Sequence, residues 1–564
     1  MRNLFLGLFL LLNGTVLFAQ VPLTKKQKKA LLLEQKDLAN LESNLLTNYK
    51  YAVNYLASDA LEGRRTGTAG ADSAVKFIAN YFEKNRIAPR GSNFYLQKFI
   101  INEGIVPTAN TNCSFNNANL QIYTDWLPLT NSGQANINTL GTLTMKEYGM
   151  PWFYDVNELF ISNKNNPHFL IADAINTFAT NAIKLGCKGL LLYNSMGNDS
   201  AFNYNPKEKV ERLKIPVIYL KNNIYKDYIK NKNTPVAIKL VTNFEPKIKQ
   251  VTNVIGFINN NAATTVVIGA HYDHLGHGED KNSRYTGTDS LIHNGADDNA
   301  SGTAGLLALA TQLKNKEYIN NNYLFIAFSG EELGLLGSKY FTDNPTINLG
   351  QINYMINMDM IGRLNDSTKT LTIGGFGTSP AWPAIVNNNY PSTLNIKIDS
   401  SGTGPSDHTS FYRKDIPVLF FFTGLHSDYH MPSDDADKIN YPGAILVLSK
   451  VLNIIKNTDK LGKLTFTKTK ETQMGSTNTR FKITLGIMPD YSFTGEGVKA
   501  DGVTDGKPAK AAGVLAGDII TQIGANKITG METYMKALSE LKKGDNTTIN
   551  VLRANKQIVL NIKF

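Results

Sequence analysis

Thr264-Thr265-Val266-Val267-Ile268-Gly269-Ala270, running straight into His271-Tyr272-Asp273-His274, is the stretch on which the reading of this 564-residue chain turns. A short apolar run rich in β-branched side chains, without polar alternation, reads as a strand buried on both faces, and such strands belong to parallel sheets covered by helices. Three further runs have the same form. Tyr323 to Phe328 leads into Ser329-Gly330-Glu331-Glu332, Ile352 to Met358 ends at Asp359, and Ile416 to Phe422 leads through a loop to Tyr429-His430. Helical patterns lie between them, so residues 250–458 read as an open, mostly parallel α/β sheet with helices on both faces. Each run delivers an imidazole or a carboxylate beyond its carboxyl end, the edge where open α/β sheets build their sites. Polar loops after strands are ordinary, but that does not explain why all four runs deliver metal-capable groups.

Seven of the eight histidines (His271, His274, His277, His293, His408, His426 and His430) fall within 160 residues, and His168 lies outside. Between the first two runs, Asn294-Gly295-Ala296-Asp297-Asp298-Asn299-Ala300-Ser301-Gly302 precedes a helix expected over Thr303 to Leu313. Its small residues allow close backbone approach around Asp297, although Ser or Asn there also reads as an ordinary helix cap.

Composition excludes other classes. Apolar content of 42% and aromatic content of 10% describe a globular chain, not a disordered, collagenous or coiled-coil one. The net charge of +11 comes from 58 basic and 47 acidic residues spread along the chain. The densest basic cluster, Lys25 to Lys29, reads as a solvated helix face, and no basic stripe interleaved with aromatics suggests nucleic acid. Arg2, the apolar Leu4 to Leu12 and the region Thr15 to Ala19 read as a signal peptide over residues 1–19, which implies export to the periplasm, cell surface or medium. No later run approaches about 20 apolar residues, so no integral membrane segment is expected in the mature chain. Cys113 and Cys187 lack the spacing of a thiolate metal site, and a buried, unpaired state is favoured over a disulfide.

The rest of the chain divides by composition. Residues 24–111 begin helically, with Leu31, Leu32, Leu38 and Leu41, and then Val75, Ile78, Ala79 and Phe82 at helical spacing. Residues 112–245 are Asn-rich, with a helix expected over Ala172–Leu185 and strands over 189–193 and 215–220. A Thr- and Lys-rich linker, 459–475, precedes short strands with Gly-rich turns over 476–564.

Together, His271-x-Asp273, Gly295-Ala296-Asp297-Asp298-Asn299-x-Ser301-Gly302, Glu331-Glu332, Asn357-Met358-Asp359-Met360 and His430-Met431-Pro432-x-Asp434 resemble the motifs of the co-catalytic di-zinc aminopeptidase family, which includes secreted bacterial leucine aminopeptidases, glutamate carboxypeptidases and the transferrin receptor. The resemblance covers roughly residues 50–110 and 250–458. It implies that His271 and Asp359 hold one zinc, that Glu332 and His430 hold the other, and that Asp297 bridges them. It further implies that Asp273 orients His271 through its other ring nitrogen, that Asp297–Asp298 is a cis peptide, and that Glu331 is the general base. The residue types suit such a site: nitrogen and oxygen ligands without thiolate fit zinc and also admit cobalt or manganese, and two metals about 3.5–4 Å apart polarise a carbonyl and acidify water. His408, in Ser406-Asp407-His408-Thr409-Ser410-Phe411, matches a family segment lining the substrate pocket, with substrate positioning, oxyanion support and a structural role all open. His274, His277, His293 and His426 read as rim or supporting residues.

Residues 112–245 resemble a protease-associated domain insert. Residues 476–564 resemble a PDZ domain: Leu485-Gly486-Ile487-Met488-Pro489 is similar to its carboxylate-binding loop, and the stretch Pro508 to Ile520 to its bacterial form. Such a domain implies a C-terminal peptide as ligand, or else a module docked on its own catalytic domain. The expected function is an exported zinc aminopeptidase acting on peptides. The alternatives are a carboxypeptidase, which needs cationic groups in the cleft where sequence order does not place Arg363 or Arg413, a glutaminyl cyclase, or a non-catalytic peptide-binding protein. Oligomeric state is not legible.

Overall fold

A computed structural model describes residues 42–469 and 483–564, apart from residues 145, 165–168, 170, 207, 209, 231–233, 281, 316, 388–392, 490–492, 494, 504, 505 and 543. The expected signal peptide and the leucine pattern of residues 31–41 lie outside the described residues.

Nine strands form the central sheet among the described residues: β1 (Ala88–Pro89), β2 (Leu96–Pro107), β3 (Phe244–Ile258), β4 (Thr265–His271), β5 (Asn322–Phe328), β6 (Ile352–Met358), β7 (Thr370–Gly374), β8 (Asn395–Ile398) and β9 (Val418–Phe422). Their order is β1-β3-β5-β4-β6-β9-β7-β8, with β2 also paired to β3. The four central strands, β5-β4-β6-β9, are parallel, and they are the four apolar runs of the sequence. Antiparallel pairs flank them, β3 with β5 and β7 with β9.

Alternate side chains of these strands enter two different cores, which is why the runs are apolar throughout. Val266, Ile268, Phe325, Ile356 and Phe421 pack with α1 (Ala69–Lys84), α2 (Gly302–Leu313) and α5 (Tyr441–Thr458). Val267, Leu324, Ile326, Met355 and Val418 pack on the other face, with Phe341 of α3 (Leu336–Asp343) and Phe411 of α4 (His408–Tyr412). Helix α1 buries Val75, Ile78 and Phe82 and is capped by the Thr68 hydroxyl, which accepts from the Ala71 N–H. Helix α5 starts where the Asn440 side chain accepts from the Gly443 N–H.

The long β2–β3 ribbon carries the inserted segment. It holds two four-stranded sheets, one built from 112–115, 118–120, 135–141 and 236–242, the other from 126–128, 151–155, 189–193 and 217–220. The helix Ile171–Lys184 covers the second. Cys113 and Cys187 are buried and unpaired, in different cores. The chain ends in a six-stranded sheet with helices Pro508–Ala512 and Met531–Ser539 around a core of its own. No described helix is long and apolar enough to cross a membrane.

Phe325 is fully buried at the centre of the sheet and Ile100 is exposed on the ribbon. Phe325→Ala is expected to destabilise the domain built on the central sheet by about 3–5 kcal/mol, and Ile100→Ala to stay within about 0.5 kcal/mol. Urea unfolding followed by tryptophan fluorescence measures both.

Candidate metal and catalytic site

Because the four central strands are parallel, their carboxyl ends share one edge, and the chemistry gathers there. His271 is the last residue of β4, Glu331 and Glu332 follow β5, Asp359 follows β6, and His430 comes from the loop after β9. Two groups form. His271, Glu331 and Asp359 converge, as do His274, Asp298 and Glu332, with one ligand-capable atom from each residue within 4.8 Å of the others in its group.

Asp298 joins the groups. Its Oδ1 lies 3.5 Å from His271 Nε2 and its Oδ2 lies 3.2 Å from His430 Nε2. His271 Nε2 is also 3.4 Å from Asp359 and 3.8 Å from Glu331, while His430 Nε2 is 3.3 Å from Glu332. The central position expected of Asp297 thus belongs to its neighbour. Asp297 faces away: its Oδ1 accepts from the Gly362 N–H at 2.6 Å, and its Oδ2 lies 3.1 Å from His426 Nε2. The backbone decides this. Gly295 turns the chain at φ +54, where a Cβ would collide with the Asp298 carbonyl and the His274 ring, and Asp298 is extended at φ −105, ψ 97. The cis peptide is likewise one residue later than expected, at Asp298–Asn299.

The imidazoles are oriented by carbonyls. His271 Nδ1 donates to the Asp273 backbone oxygen at 3.1 Å, and the Asp273 carboxylate is farther, at 3.9 Å. The expected Asp273–His271 link therefore runs through the main chain. The carboxylate instead accepts from the Thr66 hydroxyl at 2.7 Å and the Glu331 N–H at 3.2 Å, which places Glu331. His430 Nδ1 donates to the Asn282 carbonyl at 2.9 Å. With each Nδ1–H committed to a carbonyl, it is the Nε2 atoms of His271 and His430 that face the carboxylates. Asp359 is set by Ser406, which donates to it at 2.7 Å and accepts from Asn357 at the same distance.

The charge balance fits a cation site. Burial pushes the Glu331 carboxyl well up, and Glu332, Asp359 and Asp407 add to this against the opposing pull of His271. Burial also raises Asp359. Burial alone would raise Glu332, but His430 and His274 hold it well below the usual carboxylate range. Burial would lower His430, yet Glu332 and Asp298 hold it at about 11. Four buried carboxylates here have imidazoles as their ion-pair partners, and His271 Nε2 is buried with no hydrogen-bond partner. Desolvated charge of this kind calls for cations, and nitrogen and carboxylate oxygen donors suit zinc.

His274, read from the sequence as a rim or supporting residue, is buried, with Nδ1 donating to Glu332 Oε1 at 2.8 Å. Other residues here had no role assigned from the sequence. Asp407 is buried with neither carboxylate oxygen hydrogen-bonded, and burial pushes it up to about 7. Asp434 Oδ2 accepts from the Asp297 and Asp298 N–H groups at 2.9 and 3.1 Å. Arg64, fully buried, donates to the carbonyls of Tyr272 (2.7 Å), Asn294 (2.6 Å), Gly295 (3.0 Å) and Leu56. One guanidinium thereby ties the loop of His271 to the loop of Asp298. Asp434 stood inside a quoted motif. Arg64 had no signal beyond Gly63-Arg64-Arg65, because three of its four partners are backbone atoms more than 200 residues away.

His408 does not reach the cleft. It is 1% exposed, stacked at 4.5 Å on Phe420, and Phe420 forms the wall in its place. His277 and His293 lie on the loop before Asp298, bonded to Ser290 and Ser283.

Residues 253–455 match the sequence profile of peptidase family M28, and residues 469–564 match that of the PDZ domain. The chain is 25% identical over 423 residues to aminopeptidase YwaD of Bacillus subtilis, covering 72% of this chain and 83% of that protein. It is 33% identical over 150 residues to leupeptin-inactivating enzyme 1 of Streptomyces exfoliatus, covering 26% of this chain and 32% of that protein. Among solved structures, BSAP, a zinc aminopeptidase from Bacillus subtilis, aligns at 19% identity with a TM-score of 0.42, over 76% of this chain and 96% of that one.

Arg64→Ala is expected to leave buried carbonyls without donors and to cost at least about 2 kcal/mol, measured by chemical denaturation. His408 gives a pH prediction. Burial lowers it from 6.5 to about 3, so its contribution to stability is full above pH 6.5 and is lost as pH falls toward 3. His408→Leu should flatten the unfolding free energy across that window, by a slope of up to about 1.4 kcal/mol per pH unit, in a urea series from pH 7 to pH 4.

Proposed function

From the premise that residues 253–455 make this chain a member of peptidase family M28, with a PDZ domain at residues 469–564, we propose that it is a zinc-dependent aminopeptidase that removes N-terminal residues from peptides. The observation that carries the reading is Asp298 straddling the two imidazoles with Glu331 beside them. His271 and Asp359 would hold one zinc, and Glu332 and His430 the other, with Asp298 shared between them. Asp297, expected in that shared role, supports the site from behind through Gly362.

When bound, two zinc ions polarise the scissile carbonyl and lower the pKa of the attacking water. Glu331 takes that water's proton and returns it to the leaving amine as the C–N bond breaks. The Asp273 carboxylate positions Glu331 through its N–H. Ser406 keeps Asp359 turned toward His271. Arg363 is engaged with Asp428 at 3.1 Å, which weighs against its gripping a substrate carboxylate as a carboxypeptidase would require.

We read the two-sheet insert as a protease-associated domain that narrows the cleft, since Pro206, Glu208, Val210 and Glu211 line the same cavity as Glu331 and His430. Residues 1–19 are read as an export signal, which would put the enzyme in the periplasm, on the cell surface or in the medium.

Glu331→Gln is expected to lower kcat by about 10²–10⁴-fold with zinc content unchanged by elemental analysis. Asp298→Asn should lose zinc where Asp297→Asn keeps it. In a peptide panel followed by mass spectrometry, stepwise loss from free but not N-acetylated amino ends, abolished by chelator and restored by zinc, supports the reading. Cleavage of the acetylated peptides from the other end overturns it.

A further inference from the structure

Arg64, Arg65 and Thr66 are consecutive, and their side chains go to different loops of the site. Arg64 holds carbonyls in the loops of His271 and Asp298, and the Thr66 hydroxyl donates to the Asp273 carboxylate that receives the Glu331 N–H. Arg65, between them, takes the loop of Asp280. Its Nε donates to Asp280 Oδ2 at 2.7 Å and its Nη2 to Asp280 Oδ1 at 3.1 Å, a two-pronged grip that fixes direction as well as distance. The same Nη2 donates at 2.7 Å to Glu103 of β2, a buried carboxylate whose other oxygen lies 3.0 Å from Lys247 and 3.5 Å from Lys249 of β3.

Asp280 stands two residues before Asn282, and this loop cradles His430. The Asn282 carbonyl accepts from His430 Nδ1 at 2.9 Å, and the Arg284 N–H donates to the His430 carbonyl at 2.9 Å. The loop thus holds His430 by its ring and by its main chain. The Arg65 stem packs against the start of the same loop: Gly276 turns at φ +63, and a Cβ there would come within 2.7 Å of Arg65 Cβ. Residues 282–286 belong to no helix or strand, so the direction of the Asn282 carbonyl depends on what anchors the loop.

We propose that Arg65 is a positioning residue for His430. By clamping Asp280 it fixes the loop whose Asn282 carbonyl turns the His430 ring, so that Nε2 faces Glu332 and Asp298. This rests on the reading of His430 and Glu332 as the holders of one of two ions. The guanidinium also binds Glu103, so the ribbon that carries the insert is anchored at the same point. A lysine could not replace it, because an ammonium is a point charge without the planar fork.

The test titrates the metal-free full chain with cobalt(II) by calorimetry, recording the visible absorption of each bound ion. The unsubstituted chain should take up two ions in two steps, and His430→Ala identifies the step that belongs to Glu332 and His430. Arg65→Met and, as the milder variant, Asp280→Asn should each weaken that step at least about tenfold and alter its absorption, with the other step unchanged. The double variant should be no worse than Arg65→Met alone, since both remove one contact. Glu103→Gln, which opens the same network on the ribbon side, should leave both steps in place. An unchanged His430 step in Asp280→Asn overturns the proposal. So does equal weakening of both steps, as general loosening would produce, or an equal loss in Glu103→Gln. A single step in the unsubstituted chain overturns the two-ion reading itself, and the proposal with it.

Discussion

Four carboxylates gathered in one desolvated place are the constraint on which the rest of this molecule depends. Asp298, Glu331, Glu332 and Asp359 repel one another, and burial deprives them of the water that would screen the repulsion. The surrounding structure holds that charge in place for cations. His271 and His430, which face it through Nε2, have their other ring nitrogen tied to a carbonyl, and each carboxylate has at least one hydrogen bond or ion pair fixing its direction.

Holding charge against its own repulsion requires rigid supports, and these come from outside the four strands. Arg64 reaches in from the segment before α1, and Asp434 from the segment after His430. Both act on backbone groups of the loops and not on the reacting side chains. The parallel strands supply direction, and these two side chains fix the loops at the strands' ends. The core on each sheet face supplies the stiffness that keeps the edge in register.

The accessory bodies fit the same scheme. A cleft open to solvent would screen the field of the carboxylates and admit any chain. Here the insert and the PDZ domain wall the cavity from two further sides.

The strands, the edge on which the site lies, and Glu331, Glu332, Asp359, His271 and His430 as its constituents were all legible in the sequence. The reason is local: a two-face-buried strand must be apolar, and the residue after it must be at the sheet's end. What stayed hidden was which of two adjacent aspartates faces inward. Asp297 and Asp298 are chemically identical, and the choice is made by the turn at Gly295 and by the Asp434 carboxylate about 136 residues away. The role of His408 stayed open in the sequence for a similar reason. A helix start beside a site can point its side chain into the cleft or into the core, and the Phe420 ring settles that at a distance of 4.5 Å. By itself the sequence determined which chemical groups reach the site, because periodicity and composition are properties of neighbours along the chain. Tertiary structure decided which atom of each group faces which, because a hydrogen bond to a distant carbonyl leaves no trace in local sequence.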